Sequence, residues 1–243
     1  MEQKEVILML SGGRDSFLSG CRLLEKQYKI KMVTYDNGCS VGASNAKEVA
    51  ERIIKKYGSD CAEFLGVYKI SGIVREFFFP YFNMKPEEQK LRYAGMTPSQ
   101  FHCLICRTAM YIHTIWLAQR EQAMFIAEGS RKDQQFVIEL PGMAQERYPE
   151  LVKRAGLELL LPVYELNDDW ERDNELLRRG YQCKTLEPKC LIGVPIQDSV
   201  DQSVIDGVHA YYDKEILPRI DKMNLLEFEI AKHYLDSQYD ELV

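Results

Sequence analysis

Apolar residues recur along this chain in two rhythms. Residues 6–10 (VILML) form a continuous apolar run ending in a Gly-rich turn, the pattern of a strand buried on both faces. Phe17, Leu18, Cys21 and Leu24 then follow at helical spacing. A second strand is expected at 30–35. Ala46, Val49, Ala50, Ile53, Ile54 and Tyr57 make a helical stripe, with Ser44 as its expected cap. Further strands are expected at 62–70, 123–127 and 157–161, and a helix at 103–120. Strands alternating with helices predict an α/β protein, a doubly wound parallel sheet with helices on both faces. Asn37-Gly38 is a strong hairpin dipeptide, but the polar segment after it does not alternate, so no hairpin is expected there.

Beyond about residue 165 the strand signals stop. Residues 168–179 read as a polar helix. Residues 202–217 and 225–239 read as amphipathic helices separated by Pro218. The expected organisation is a sheet domain over 1–165 and a C-terminal helical extension over 166–243 that carries Cys183 and Cys190. Residues 71–102, with FFFPYF and PEEQK, form a long connection of the kind that becomes a lid or packs into the core.

In a doubly wound sheet the ligand sits at the carboxyl ends of the strands. Three loops are expected on that edge: Ser11-Gly12-Gly13-Arg14-Asp15-Ser16, the segment containing Asp36, and Gly129 to Asp133. The first lies between a buried strand and a helix. Its glycines permit backbone conformations that let successive N–H groups converge on an anion, and the helix N-terminus adds partial positive charge. Ser11 and Ser16 are candidate phosphate donors. Asp15 is a candidate helix cap, magnesium ligand or catalytic group. The Walker pattern is absent.

Composition narrows the function classes. A hydrophobic fraction of 46% supports one sizeable core. A net charge of −6 weighs against a broad nucleic-acid surface, since phosphate binding needs clustered Lys and Arg. Residues 147–154 and the Arg178-Arg179 pair are the basic candidates, and we read them as solvated helix faces. No apolar run is long enough to span a bilayer, and the polar SGGRDS cuts the N-terminal apolar run too short for a signal peptide. The expected compartment is the cytoplasm, with no membrane partner. Most of the seven cysteines are therefore expected as reduced thiols, some buried and inert and some available as metal ligands or catalytic groups.

Cys103 and Cys106 form a C-x-x-C pair expected at a helix start. Cys183 and Cys190 follow in YQCKTLEPKC. Such pairs suit tetrahedral zinc, an iron–sulfur cluster or redox chemistry. Cys21, Cys39 and Cys61 have no partner at ligand spacing and read as core or surface residues. His102 is a possible ligand. His113, His209 and His233 sit in helical patterns, and Trp116 and Trp170 read as packing residues.

SGGRDS resembles the SGG-x-DS signature of the PP-loop ATP pyrophosphatases, the adenine nucleotide alpha-hydrolase-like superfamily. TYDNG at 34–38 and IAEGSRKDQQ at 126–135 resemble two further segments of that family, with Ser130 and Gln134 departing from its usual residues. The resemblance covers about residues 4–165. It implies a HUP or Rossmann-like fold, Mg2+-dependent cleavage of ATP to AMP and pyrophosphate, and adenylation of a substrate oxygen. It implies nucleotide contacts at Ser11, Gly12, Gly13, Arg14, Asp15, Ser16, Asp36, Gly129 and Asp133. The block from Cys103 to Gly129 is similar to that of the tRNA 2-thiocytidine and thiouridine-type sulfurtransferases. That likeness implies a [4Fe-4S] cluster on Cys103, Cys106 and a third cysteine. Cys190 is the best match, Cys183 a rival, and the one left over a sulfur relay or a structural thiol. It further implies a nucleobase or tRNA acceptor and a sulfur donor, while the helical tail is expected to bind RNA, build a homodimer or close the site, with no choice among the three made by the sequence. Zinc with a nitrogen nucleophile, as in the deazaguanine nitrile-forming enzymes, is the alternative. A nucleotide-binding protein without catalysis is a third reading.

Overall fold

The structure is a computed structural model that describes residues 3–93, 96–136, 142–192 and 201–229. Five parallel strands form the central sheet: β1 (Glu5–Met9), β2 (Lys29–Asp36), β4 (Ala62–Lys69), β5 (Phe125–Ala127) and β6 (Glu158–Leu160). Their order is β4-β2-β1-β5-β6. β1 is central, and the chain leaves it first toward β2 and later toward β5. The reversal opens a crevice at its carboxyl end.

The unbroken apolar run of β1 is explained by burial on both sides. Val6, Leu8 and Leu10 join one apolar cluster, and Ile7 and Met9 join the other. The first face is covered by α1 (Arg14–Glu25) and α2 (Ala46–Tyr57), with α7 (Asp169–Arg178) against α1. The second is covered by α5 (Pro98–Arg120), α3 (Ser71–Phe82) and α6 (Tyr148–Arg154). Residues of α8 (Gln202–Tyr211) and α9 (Leu217–Lys222) extend that same cluster.

Several expectations change. The helix expected from Cys103 begins five residues earlier. Thr97 and Gln100 form a reciprocal capping box, and Pro98 takes the first turn, where its missing N–H costs nothing. Cys103 and Cys106 therefore lie inside a helix and not at its start. Ser44 sits in a short 3₁₀ turn, and α2 begins after Asn45 without a side-chain cap. The described residues of the 71–102 connection form α3, α4 (Pro86–Arg92) and the first turn of α5. Its FFFPYF run divides, with Phe77 buried and Phe79 and Phe82 exposed. Pro218 does not separate two helices. It occupies the first turn of α9, reached from α8 through a π turn at Tyr212–Ile216. The helix expected at 225–239 falls largely outside the described residues, as does His233.

The extension also contributes a strand. β3 (Ser40–Val41) pairs antiparallel with β7 (Lys189–Cys190), so the segment after Asn37-Gly38 finds its partner in the tail and not in β2. Trp116 is fully buried and donates its Nε1–H to the Leu225 carbonyl at 2.6 Å, whereas Trp170 is 73% exposed and is not a core residue.

His113 is buried among Tyr35, Tyr68 and Trp116. Neither ring nitrogen has a hydrogen-bond partner among the described residues. Burial first, and Arg120 second, lower its pKa from 6.5 to about 3. The unfolded chain takes up a proton near pH 6.5 and the folded chain does not, so stability is lost as pH falls from 6.5 toward 3. Acidification from pH 7 to pH 5 is expected to cost about 2 kcal/mol through this residue. Urea unfolding of His113→Phe should show a correspondingly weaker pH dependence, and one identical to wild type would contradict this.

Candidate active site at the carboxyl end of β1

The Ser11–Ser16 loop leaves β1 and enters α1. Gly12 adopts φ 84°, the left-handed region that glycine occupies without steric cost. The two serines tie the loop to itself. Ser11 N–H donates to Ser16 Oγ at 3.2 Å, Gly13 N–H donates to Ser11 Oγ at 3.1 Å, and Ser16 Oγ donates to the Gly13 carbonyl at 3.1 Å. No side chain caps the N-terminus of α1. Helix polarity favours an anion at such an uncapped end.

Gly129, at the end of β5, lies directly against this turn. A Cβ on Gly129 would sit 2.6 Å from the Ser16 backbone nitrogen and 2.8 Å from the Asp15 carbonyl carbon. Just before it, Glu128 is buried. It pairs with Arg107 of α5, accepts from Ser130 Oγ at 2.7 Å, and offers its backbone carbonyl to Ser19 Oγ at 3.2 Å. Ser130 thus serves the wall of the site.

The loop's charge is set by an ion-pair cluster. Asp15 meets Arg131 Nε and Arg172 Nη1, each at 3.2 Å, and accepts from Gln134 Nε2 at 3.3 Å. Arg131 also pairs with Asp133 and Asp169, Arg172 with Asp169 and Asp173, and Arg14 with Asp173 and Asp169. Arg131 and Arg172 are 4% and 3% exposed. Burial pushes the Asp15 carboxyl above its ordinary pKa, against the pull of Arg172 and Arg131. Burial opposes ionisation of Asp169 as well, but hydrogen bonds from Arg131 and Arg172 hold that carboxyl below its usual range.

A strap from the extension crosses the loop. Leu186 N–H donates to the Gly12 carbonyl at 3.1 Å. Glu187 Oε2 lies 3.1 Å from where a Cβ on Gly13 would stand. Loss of hydration against the loop, followed by the charge of Asp15, pushes the Glu187 carboxyl upward, although the side chain keeps an exposed flank.

Asp36, Asp133 and the cysteines are placed as follows. Asp36 closes its own turn, accepting from Gly38 N–H at 2.8 Å and from Ser40 Oγ at 3.4 Å. Asp133 reaches Arg131, and its Oδ1 is buried without a partner among the described residues. Asn37 Nδ2 donates to Cys106 Sγ at 3.1 Å and approaches His102 Nε2 at 3.2 Å, while Asn37 Oδ1 accepts from Cys39 N–H at 2.8 Å. Cys190 stands on β7 opposite Ser40, bringing Cys39 into its neighbourhood. Cys183 lies elsewhere, with Sγ directed to the Asp173 carbonyl at 3.5 Å. Among the described residues no three His, Cys, Asp or Glu side chains gather as a metal site. Cys103, Cys106, Cys183 and Cys190 accordingly form no such group in this arrangement. Cys21 is a buried thiol pushed up to about 11 by burial, as expected of a packing residue.

A family model described as "Thiamine biosynthesis protein (ThiI)" matches residues 1–135, more than half of the chain, and includes both the anion loop and the Gly129 segment. The chain belongs to the ThiI family. That membership bears out the PP-loop resemblance of SGGRDS. No curated protein matches by sequence. Among solved structures, this ThiI-family chain is similar to a 4-thiouridine synthetase in complex with RNA and bound ATP. The identity is 17% and the TM-score 0.56, covering 94% of this chain and 53% of that one. It is also similar to an NMN synthetase from Francisella tularensis, at 10% identity and TM-score 0.52, covering 89% and 87%. A U34-tRNA thiolase, NcsA, from Methanococcus maripaludis, solved with its [4Fe-4S] cluster, aligns at 15% identity and TM-score 0.45 over 95% and 70%. The chain spans about half the length of the 4-thiouridine synthetase. At these identities the first two likenesses establish the fold.

Arg172 and Glu187 are site residues that no sequence pattern singled out, and they are recognisable only once distant segments have been brought together. Arg131 and Asn37 lie within IAEGSRKDQQ and TYDNG, two segments already expected at the site, although neither residue was given a role there. No helix among the described residues is long and apolar enough to cross a membrane.

Proposed function

We propose that this ThiI-family chain is an ATP-dependent sulfurtransferase that adenylates a carbonyl oxygen of a nucleobase, in tRNA, and replaces it with sulfur from a separate donor. The reading rests on one observation: the Ser11–Ser16 loop at the carboxyl end of the central strand leaves the first-turn amides of α1 uncapped beside two buried arginines. In this reading the loop and α1 bind the phosphates, and attack of the carbonyl oxygen on the α-phosphorus releases pyrophosphate. The AMP attached to that oxygen makes it a leaving group, sulfur adds at the carbon, and AMP departs. Mg2+ would neutralise phosphate charge, and Asp133, with its buried unpartnered Oδ1, is the carboxylate that fits it best. Asp36 and Gly129 shape the walls, and Arg14 anchors α7 against the loop. The cysteines present do not fit a three-cysteine cluster, so no step is assigned to one. Cys106, Cys190 and Cys183 remain candidate sulfur carriers. The extension over 166–243 supplies α7 and the strap to the ATP-binding unit over 1–165.

The decisive experiment is incubation of the full chain with ATP, Mg2+, unmodified tRNA and sulfide, with AMP, pyrophosphate and thiolated nucleoside measured together. All three in equal amounts are expected. AMP and pyrophosphate without thiolation would retain adenylation and transfer the chemistry to another nucleophile. Absence of AMP release with every acceptor would refute catalysis.

A further inference from the structure

Resting on that reading, we infer that Arg172, delivered from α7 of the C-terminal extension, is a binding residue for the pyrophosphate half of ATP, with Asp15 occupying its place until the ligand arrives. The side chain is 3% exposed. Its Nη1 takes Asp15 and Asp169, and its Nε takes Asp173 at 2.8 Å, but its Nη2 is buried with no partner among the described residues. A buried guanidinium N–H without an acceptor is costly, and a fork with one arm free matches a phosphoryl oxygen. Arg131 repeats the pattern on the same two carboxylates, Asp15 and Asp169. It is 4% exposed, and its Nε approaches Asp15 without a hydrogen bond.

Both arginines converge on Asp15, the second residue of α1, whose uncapped N-terminus already favours an anion. The carboxyl between them is the one whose pKa burial raises, so Asp15 is a poorly solvated acceptor. An entering phosphoryl group offers more charge and more oxygen acceptors to the same donors. The cluster holds three arginines, Arg14, Arg131 and Arg172, against four aspartates, Asp15, Asp133, Asp169 and Asp173. Its net charge is therefore negative, and pyrophosphate binding is expected to strengthen with Mg2+.

The experiment is calorimetric titration of the full chain with magnesium pyrophosphate and, separately, with a non-hydrolysable ATP analogue, for wild type, Arg172→Gln and Arg172→Lys. Folding is checked by circular dichroism and thermal melting. Loss of one charge-assisted hydrogen bond is expected to weaken pyrophosphate about 10- to 100-fold in Arg172→Gln. Arg172→Lys, which keeps the charge but not the fork, should fall between. A merely structural role would lower the melting temperature and leave pyrophosphate affinity unchanged in the folded variants, which overturns the inference. If Arg172→Gln does not fold, Arg172→Lys decides it by the same criterion. Wild-type protein that binds neither ligand would refute the nucleotide reading itself, an outcome distinct from tight wild-type binding with indifferent variants.

Discussion

Asp15→Ala is expected to abolish AMP and pyrophosphate release and to lower the free energy of unfolding by about 3 kcal/mol. Removing one partner of a buried ion pair leaves the other charge uncompensated, which typically costs about 3–5 kcal/mol. Arg131 and Arg172 keep Asp133, Asp169 and Asp173, which places the loss at the lower end of that range. The desolvation already borne by Asp15 works in the same direction. Asp15→Asn retains shape and one acceptor and should recover part of the stability but none of the turnover. Urea titration and a coupled pyrophosphate assay measure the two effects separately. Wild-type turnover in Asp15→Ala would remove this residue from the chemistry, whatever happened to stability.

Gly129→Ala is expected to cost about 3 kcal/mol or more and to lower the melting temperature by about 6–12 °C. The added methyl would stand 2.6 Å from Ser16 N and 2.8 Å from Asp15 C, and both are backbone atoms of a helix turn that cannot rotate aside. Relief requires β5 and α1 to separate, which moves the anion loop. ATP binding should therefore weaken along with stability. A melting temperature within about 2 °C of wild type would show that the segment yields easily and that the close packing of the two loops is not needed.

The sheet was legible in the sequence because its strands are buried on both faces and read as short apolar runs between helical stripes. The anion loop was legible for a related reason: its glycines and serines act within six consecutive residues. What escaped is non-local or was over-weighted. β3 and β7 are two residues each and find each other across most of the chain, so neither carries a periodic signal. Arg172 belongs to a polar helix whose pattern is indistinguishable from a solvated face until Asp15 lies beside it. The start of α5 was available in Thr97-Pro98-Ser99-Gln100, a capping box with proline at the first position. The cysteine pair downstream drew the boundary to itself instead. Pro218 carries the signal of a break, yet proline is tolerated in a helix's first turn, where no carbonyl awaits its N–H.

The contact between Leu186 and Gly12 joins positions separated by more than two thirds of the chain. During synthesis the loop, β1, α1 and β2 emerge long before the strap exists. The nascent protein thus presents an open anion cradle that gains Arg131 only past mid-chain, and Arg172 and Glu187 only past two thirds of it. Closing so long a loop in sequence is slow relative to helix formation. The loop acquires these neighbours only when segments made much later dock against it, and a chain released before α7 would carry the motif without the arginine that α7 brings to Asp15.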